Sequence, residues 1–299
     1  MNREEFVDKV VTVDYNARGV VRHLYAAARQ HAQQPLCAKA AEFLRVPGCV
    51  AVATGFRITR YGGAVESDGL VSSVLLSLWL ELRGGEAVIF VEKGFEEVVK
   101  AGLDAAGAGK TIVKGLPQAY GEVAQILFNV LDQKKPSLFV AVERPGANEY
   151  GRYHNSVGED ITSLTSPVDR LFERLSGWKR PFIAFGDGGN EAGMGLIKHA
   201  VEKHVPYGTT CRCGCGEGIA AETTADVLVT ASISDLGLFG AMAIADPQTY
   251  RQTIIHLIPT TRALFEAGAV DAYRGPSKPG VDGVPIEAIS AVAHLLQPI

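Results

Sequence analysis

Short, continuously apolar segments recur along this 299-residue chain and alternate with helix-like stretches, and this alternation most restricts the possible folds. Most of the segments are rich in Val, Ile or Phe and lack the alternating polar residues of a strand that has one solvent-exposed face. The pattern therefore predicts an α/β fold, namely a doubly wound, mostly parallel sheet with helices on both faces. The predicted strands cover residues 49–54, 87–92, 111–113, 138–142, 182–185, 227–231 and 254–258.

Helical patterns fill the intervals between these strands. No long linker rich in Pro, Gly or Ser divides the chain, so residues 1–299 are predicted to form one domain. Residues 1–48 are interpreted as an N-terminal helical segment that packs on it. The predicted helices cover residues 69–83, 95–106, 120–132, 167–176, 191–204, 235–245, 260–267 and 284–297.

Composition and charge narrow the classes of function. The chain has 29 Lys and Arg, 33 Asp and Glu and a net charge of −4, which excludes a strongly basic nucleic-acid binder. Residues 1–13 are charged and lack a signal-peptide apolar region, and the most apolar helix, 70–82, is too short to span a bilayer. We therefore expect a cytoplasmic protein with a small-molecule substrate and neither nucleic acid nor membrane as a partner. A homo-oligomer is left open.

The five cysteines do not form a regular disulfide framework, and their odd number argues against a secreted scaffold. Three of them alternate along one short segment, without the C-x₂-C pairs of common structural zinc sites. Because no second ligand pair is visible, we expect a surface loop with reduced thiols, although His199 and His204 are near in sequence. The cysteines are Cys37, Cys49, Cys211, Cys213 and Cys215.

A glycine-rich loop, Gly186-Asp187-Gly188-Gly189-Asn190-Glu191, follows the strand predicted at 182–185. Open α/β sheets bind ligands at the carboxyl ends of their strands. Glycines allow the backbone to approach a ligand, and a helix starting after the loop would offer N–H groups to a carboxylate or phosphate. Asp187 and Glu191 could instead hold a cation or an ammonium. The simpler alternative is a tight turn capped by Asn190.

Three further loops follow predicted strands. Thr54-Gly55 is followed by Glu66 and Asp68 beside one helix start, where both acids cannot be caps, so one could bind a metal or a substrate amine. The alternative is a loop that only caps the helix. Arg144 either binds a carboxylate in bidentate fashion or forms a salt bridge. The polar loop that follows contains Asn155 and is expected to cover the site. Ser234 and Asp235 either cap the helix after the strand at 227–231 or line the site.

Together these segments resemble the D-glutamate cyclase-like domain family. The resemblance covers nearly the whole chain after residue 48, and the Gly-Asp-Gly-Gly-Asn-Glu stretch is its most specific part. The segments that carry it are residues 54–56, 66–69, 143–146, 153–161, 186–195, 232–237 and 281–283.

The resemblance implies a hydro-lyase that interconverts D-glutamate and 5-oxo-D-proline plus water. Ring closure needs a base for the α-amine and a donor or cation for the oxyanion. We expect the base or cation-binding carboxylates to be Asp187, Glu191, Glu66 and Asp68. Arg144 is expected to bind the α-carboxylate. No cofactor is certain, and a Mg²⁺ ion at Asp187 is left open. The other expected substrate-binding residues are Thr54, Gly55, Asn155, Gly188, Gly189, Asn190, Ser234 and Asp235.

Two other functions fit the same residues. The Gly-Asp-Gly-x-Asn pattern is similar to a Mg²⁺-binding loop of the haloacid dehalogenase phosphatases and would indicate Mg²⁺-dependent phosphoryl transfer. However, Thr54-Gly55-Phe56 occupies the place of their Asp-x-Asp nucleophile. A non-catalytic amino-acid-binding module is the second alternative, because clustered acids and Arg144 would also suit a zwitterion.

Overall fold

A six-stranded parallel sheet forms the centre of the computed structural model, which describes residues 1–46, 48–176 and 180–297. The strands are β1 (Cys49–Thr54), β2 (Glu86–Glu92), β3 (Ile112–Leu116), β4 (Leu138–Val142), β5 (Phe182–Gly186) and β6 (Val227–Thr230). They lie in the order β3-β2-β1-β4-β5-β6. In the central strand, β1, Val52 is paired with Ile89 of β2 on one side and Val140 of β4 on the other. The predicted doubly wound α/β fold is confirmed.

Helices cover both faces of this sheet. The chain winds outward from β1 to β3 and then in the opposite direction from β4 to β6, so right-handed crossovers place the two sets of helices on opposite faces. The helices are α1 (Arg3–Val11), α2 (Val21–Ala28), α3 (Leu36–Leu44), α4 (Leu70–Leu82), α5 (Glu96–Ala106), α6 (Tyr120–Lys134), α7 (Val168–Ser176), α8 (Lys198–His204), α9 (Ser234–Ala245), α10 (Pro247–Ile254), α11 (Leu257–Glu266) and α12 (Ile286–Leu295). On one face of the sheet, α4, α5, α9 and α11 pack together.

The face covered by α7 is held by aromatic side chains. Phe172 of α7 lies with its ring centroid 4.7 Å from that of Phe139 and 5.8 Å from that of Phe182. Such tilted and edge-to-face contacts stabilise a core beyond the burial of their apolar area. The α7 helix is thereby fixed against β4 and β5, the strands that lead into two of the loops singled out above.

The predicted strand at 254–258 is wrong. These residues end α10 and begin α11. The Asp246 carboxylate caps α10 by accepting hydrogen bonds from the amides of Gln248 and Thr249, each at 3.1 Å, and Pro247 occupies the first turn. A short apolar run has no periodicity that separates a buried strand from a buried helix, so the capping residues decide.

The helix predicted at 191–204 is also only partly correct. The α-helix covers Lys198–His204 and follows a single 3₁₀ turn over Gly195–Ile197. Residues 191–194 form a loop, because the Glu191 side chain turns back onto the preceding amides. No helix N-terminus therefore follows the glycine-rich loop directly.

The N-terminal segment packs against the edge strand β6 and against α9. Asp8 of α1 is buried and caps α3, accepting hydrogen bonds from the amides of Leu36 at 2.6 Å and Cys37 at 3.0 Å. One continuous cluster of buried apolar side chains extends from Val7 to Leu296. Within the described parts of the chain, no helix combines the length and the apolar character needed to cross a bilayer.

Candidate active site

A cavity of about 530 Å³ opens at the carboxyl end of the sheet, where the winding direction changes between β1 and β4. Loops that follow β1, β4 and β5 contribute to it, as the general rule for open α/β sheets predicts. Its lining residues are Arg18, Phe56, Arg57, Ile58, Thr59, Arg60, Glu66, Glu143, Asn155, Ser156, Val157, Glu159, Asp187, Asn190, Glu191, Ala272, Tyr273 and Asp282.

Buried carboxyl groups converge on the inner side of this cavity. We call Glu66, Asp68, Glu143, Asp187 and Asp282 the acidic cluster; all five are less than 9% exposed. Asp68 lies just behind the lining. The Arg18 guanidinium bridges two members of the cluster, at 2.8 Å from Asp187 Oδ1 and 3.3 Å from Asp282 Oδ2. One arginine cannot neutralise five carboxylates, so bound protons or a bound cation must supply the missing positive charge.

Asp187 follows β5 and has the features of a group that exchanges protons. Burial raises the pKa of its carboxyl to about 7, although Arg18 opposes the shift. Its Oδ2 atom has no hydrogen-bond partner. A cavity-lining carboxyl that titrates near neutral pH can both accept and donate a proton.

Glu143 follows β4 with its backbone at φ 44°, in the left-handed region that few non-glycine residues adopt. The Ser234 hydroxyl donates a 2.6 Å hydrogen bond to its Oε2 atom. Burial raises the pKa of Glu143 well above its usual range, and the nearby Asp187 carboxyl adds to the shift. Asp282 lines the same cavity at φ 46°, and burial raises its pKa to about 7. Two strained residues thus aim carboxyls into one cavity, as is common at functional sites.

Asp68 and Asp235 cap each other's helices. Asp68 accepts hydrogen bonds from the amides of Ser234 at 3.1 Å and Asp235 at 2.9 Å, at the start of α9. Asp235 accepts from the amides of Gly69 at 2.9 Å and Ser72 at 3.0 Å, at the start of α4. Burial raises the pKa of both carboxyls, that of Asp235 to about 7. These residues hold α4 and α9 together directly behind the cavity, and Ser234 and Asp235 do not line it.

Gly69 permits this close approach. Its φ is 76°, and a Cβ atom there would lie 2.5 Å from both Thr54 Oγ1 and the Val142 carbonyl oxygen. Any side chain would therefore push apart the ends of β1 and β4. Thr54 and Gly55 lie in this packed layer and outside the cavity lining.

Glu191 occupies the amides of Gly188 and Gly189, two residues that the sequence analysis expects to bind the substrate. Its carboxylate accepts hydrogen bonds from the amides of Gly188 and Gly189, both at 2.6 Å. The glycine-rich loop is therefore an internally closed turn, and Gly188 and Gly189 do not line the cavity. Asn190 does line it and donates a hydrogen bond to the His154 carbonyl at 2.9 Å. Asn155 is also a lining residue, as its place in the covering loop predicts.

Arg144 does not reach the cavity. Its side chain is fully buried and forms a bidentate pair with Glu92 of β2, at 2.8 Å and 2.6 Å. Its Nη1 and Nη2 groups also donate to the carbonyl oxygens of Thr54 at 3.1 Å and Ser166 at 2.6 Å, whereas its Nε has no hydrogen-bond partner. The guanidinium therefore locks the ends of several strands together. A salt bridge is present, as one reading of this loop predicts, but its partner is Glu92 and not the adjacent Glu143.

Sequence reasoning missed several residues of the site. Arg18 comes from the segment between α1 and α2, far from any strand end. Asp282 lies in a tight turn between the paired strands Gly280–Val281 and Val284–Pro285. Asp282 belongs to one of the segments that carry the family resemblance, and Glu143 follows a predicted strand, so the sequence contained a signal for both residues. It contained no such signal for Arg18.

Two groups of side chains among the described residues have the composition and closeness needed to hold a metal ion. One consists of Asp68, Glu143 and Asp187. The other consists of His154, Cys211, Cys213 and Cys215. In each group one ligand atom from every residue lies within 4.8 Å of the others. Hard divalent cations prefer the oxygen set, and zinc prefers the sulfur and nitrogen set.

Comparison with known proteins gives two matches. A family model described as "D-glutamate cyclase-like, C-terminal" matches residues 7–297. The human protein named "D-glutamate cyclase, mitochondrial" is 33% identical over 184 residues. That alignment covers 58% of this chain and 28% of the human protein, so most of the relative's length has no counterpart in it.

Proposed function

The chain belongs to the D-glutamate cyclase-like family, and from that premise we propose that it is a hydro-lyase that interconverts D-glutamate and 5-oxo-D-proline plus water. The observation that carries the proposal is the order of charges across the cavity. Buried carboxyls form its inner side, and Arg57 and the exposed Arg60 lie among its more accessible lining residues. An amino acid with one ammonium and two carboxylate groups is complementary to that order.

The substrate ammonium is assigned to the inner side, between Asp187 and Glu143. Both residues line the cavity, and the unpartnered Oδ2 of Asp187 offers an acceptor. The α-carboxylate is assigned to Arg57 and Arg60, replacing the expectation for Arg144. Arg60 stacks against the Tyr273 ring at 5.6 Å and Arg57 against the Phe95 ring at 5.2 Å, which orients both guanidinium groups.

Ring closure forms a bond between the amine nitrogen and the γ-carboxyl carbon and breaks one carbon–oxygen bond. The ammonium loses two protons, and the departing oxygen gains two and leaves as water, so protons and charge balance. Asp187 is assigned to carry these protons, because a pKa of about 7 makes both transfers accessible at neutral pH. In the reverse direction the same group activates the water that attacks the lactam carbonyl.

The developing oxyanion needs positive charge beside it. Arg18 is the guanidinium that contacts Asp187, so we assign this stabilisation to Arg18 rather than to the amides of Gly188 and Gly189, which Glu191 occupies. A Mg²⁺ ion at Asp187, with Asp68 and Glu143, is the second way to supply the charge, because oxygen atoms of these three residues lie close enough to share one ion. The assay below separates the two.

The test is an NMR assay of the full chain with each enantiomer of glutamate and of 5-oxoproline, in EDTA and with added Mg²⁺. The proposal expects interconversion of the D enantiomers only. Turnover in EDTA would indicate that Arg18 stabilises the oxyanion without a metal ion. Turnover only with added Mg²⁺ would indicate that the cation supplies this stabilisation. Calorimetric binding of D-glutamate without product would replace the proposal with an amino-acid-binding module. Hydrolysis of phosphate esters instead would indicate phosphoryl transfer, which the acidic lining disfavours.

A cytoplasmic location and a small-molecule partner complete the proposal. The five free cysteines support a reducing compartment. The human relative is named as mitochondrial, and fractionation of the native cells distinguishes the two locations.

A further inference from the structure

The cysteine-rich loop between α8 and β6 folds three alternating thiols around one point, where a histidine from another loop joins them. Cys211 Sγ lies 3.1 Å from Cys213 Sγ and 3.5 Å from Cys215 Sγ. His154 Nε2 lies 3.2 Å from Cys213 Sγ and 3.8 Å from Cys215 Sγ. All five cysteines of the chain are free, so no disulfide accounts for this convergence.

These distances of 3.1–3.8 Å lie close to the edges of a tetrahedral zinc site, and the two shortest need only a slight spreading of the ligands. With Zn–S bonds of about 2.3 Å and Zn–N bonds of about 2.0 Å, neighbouring ligand atoms lie about 3.5–3.8 Å apart. Three thiols and one imidazole also form one of the standard ligand sets of closed structural zinc sites. We propose that His154, Cys211, Cys213 and Cys215 bind one structural Zn²⁺ ion, at a site distinct from the acidic cavity.

The loop backbone explains how alternating cysteines can share one ion. In an extended strand, thiols two residues apart are separated by about 6.5–7 Å, too far for a common ligand. Gly214 at φ 76° and Gly216 at φ 95° turn the chain back, and the Cys211 amide closes the loop on the Glu217 carbonyl at 2.9 Å. The turn at these glycines therefore brings the alternating thiols together without the C-x₂-C spacing of common structural zinc sites.

The surroundings of the ligands also suit the ion. His154 is fully buried, and its Nε2 atom faces the thiols of Cys213 and Cys215. Asn148 Nδ2 lies 3.5 Å from Cys215 Sγ and donates to it. Such N–H donors stabilise thiolates. His199 and His204, the histidines nearest in sequence, take no part, and His204 stacks on His23 at 3.9 Å.

The ion would fasten one wall of the cavity. His154 precedes the lining residues Asn155 and Ser156, and the Arg212 amide donates to the Gly158 carbonyl at 2.8 Å. A zinc ion shared by both loops therefore joins the cysteine loop to the segment that covers the cavity. The zinc site can be tested independently of the proposed reaction, because metal content is measured without any substrate.

The experiment measures zinc per chain by mass spectrometry of metals on the full-length protein, together with its unfolding temperature with and without a chelator. We expect about one zinc per chain, and a lower unfolding temperature after chelation. Cobalt substitution should give thiolate charge-transfer bands and the visible bands of a tetrahedral ion. Cys213→Ser should lose the zinc and the chelator effect, and because Cys213 is exposed this variant is expected to fold. His154→Ala serves as the second ligand variant.

The matched control is Cys49→Ala, which removes a thiol at the start of β1 and should keep the full zinc content. Three outcomes overturn the proposal. They are a zinc content that Cys213→Ser leaves unchanged, iron bound in place of zinc, or a purified chain whose mass and thiol count show a disulfide within the loop.

Discussion

Two groups of charged side chains lie at the same edge of the sheet and are built in opposite ways. In the Arg144–Glu92 pair, each charge meets its opposite in bidentate contact, and both Nη groups of Arg144 also donate to backbone carbonyls. In the acidic cluster, five buried carboxyls share one arginine, and Asp187 keeps an unpartnered oxygen. Both groups are buried, so burial alone does not distinguish a structural ion pair from a candidate functional cluster. The balance of charge distinguishes them, because only the unbalanced group needs protons or a cation from solution.

The largest effect that would test this contrast is expected from Asp187→Asn. Removing the proton carrier should lower turnover of D-glutamate by about 10²- to 10⁴-fold, measured by NMR. Stability should be equal or higher, because charges at functional sites are not optimised for folding. Asp104→Asn, an exposed acid on α5, is the control and should leave turnover unchanged. Full turnover of the Asp187 variant would remove this residue from the mechanism.

Arg144→Met should instead act on stability. Glu92 would be left buried without a counter-charge, which costs about 3–5 kcal/mol of the free energy of unfolding, measured by denaturant titration. Replacing Glu92 by Met in the same chain should restore most of the loss. Arg262→Met, which breaks an exposed pair with Glu287, should cost less than about 1 kcal/mol. A stable Arg144→Met variant with weakened substrate binding would return Arg144 to the substrate-binding role expected from the sequence.

The smallest effect is a pH dependence carried by the unbalanced group. Asp187 and Asp282 of the acidic cluster have pKa values of about 7 in the folded chain, well above those of unfolded Asp. The folded state therefore holds more protons than the unfolded state between about pH 4 and pH 7, and stability falls as pH rises through that range. Between pH 6 and pH 7.5 we expect these two groups together to lower the free energy of unfolding by about 2–3 kcal/mol.

Two variants sharpen this measurement. Glu143→Gln removes one titratable carboxyl from the acidic cluster and should make the decline shallower. An Arg144 and Glu92 double Met variant leaves the cluster intact and should keep the decline. A stability that rises over the same range in the unmodified chain would contradict the account of the cluster.

Much of the fold could be predicted because its signals are local. Continuous apolar runs located the strands of the sheet, and the strand-end rule brought residues 66, 187 and 190 to one cavity. The failures occurred where a side chain overrode a local pattern. Asp246 and Pro247 began a helix where an apolar run suggested a strand, and Glu191 closed its own loop where a helix was expected.

The sequence by itself determined the class of fold, the family and the edge of the sheet where the cavity lies, because apolar periodicity and short motifs are properties of neighbouring residues. Only the tertiary structure decided which charges are neutralised. Arg144 meets Glu92 from another strand, Arg18 reaches Asp187 across 169 positions, and His154 meets thiols from a distant loop. Such pairings depend on distances that chain folding creates, and electrostatic and ligand interactions act through those distances rather than through separation along the sequence.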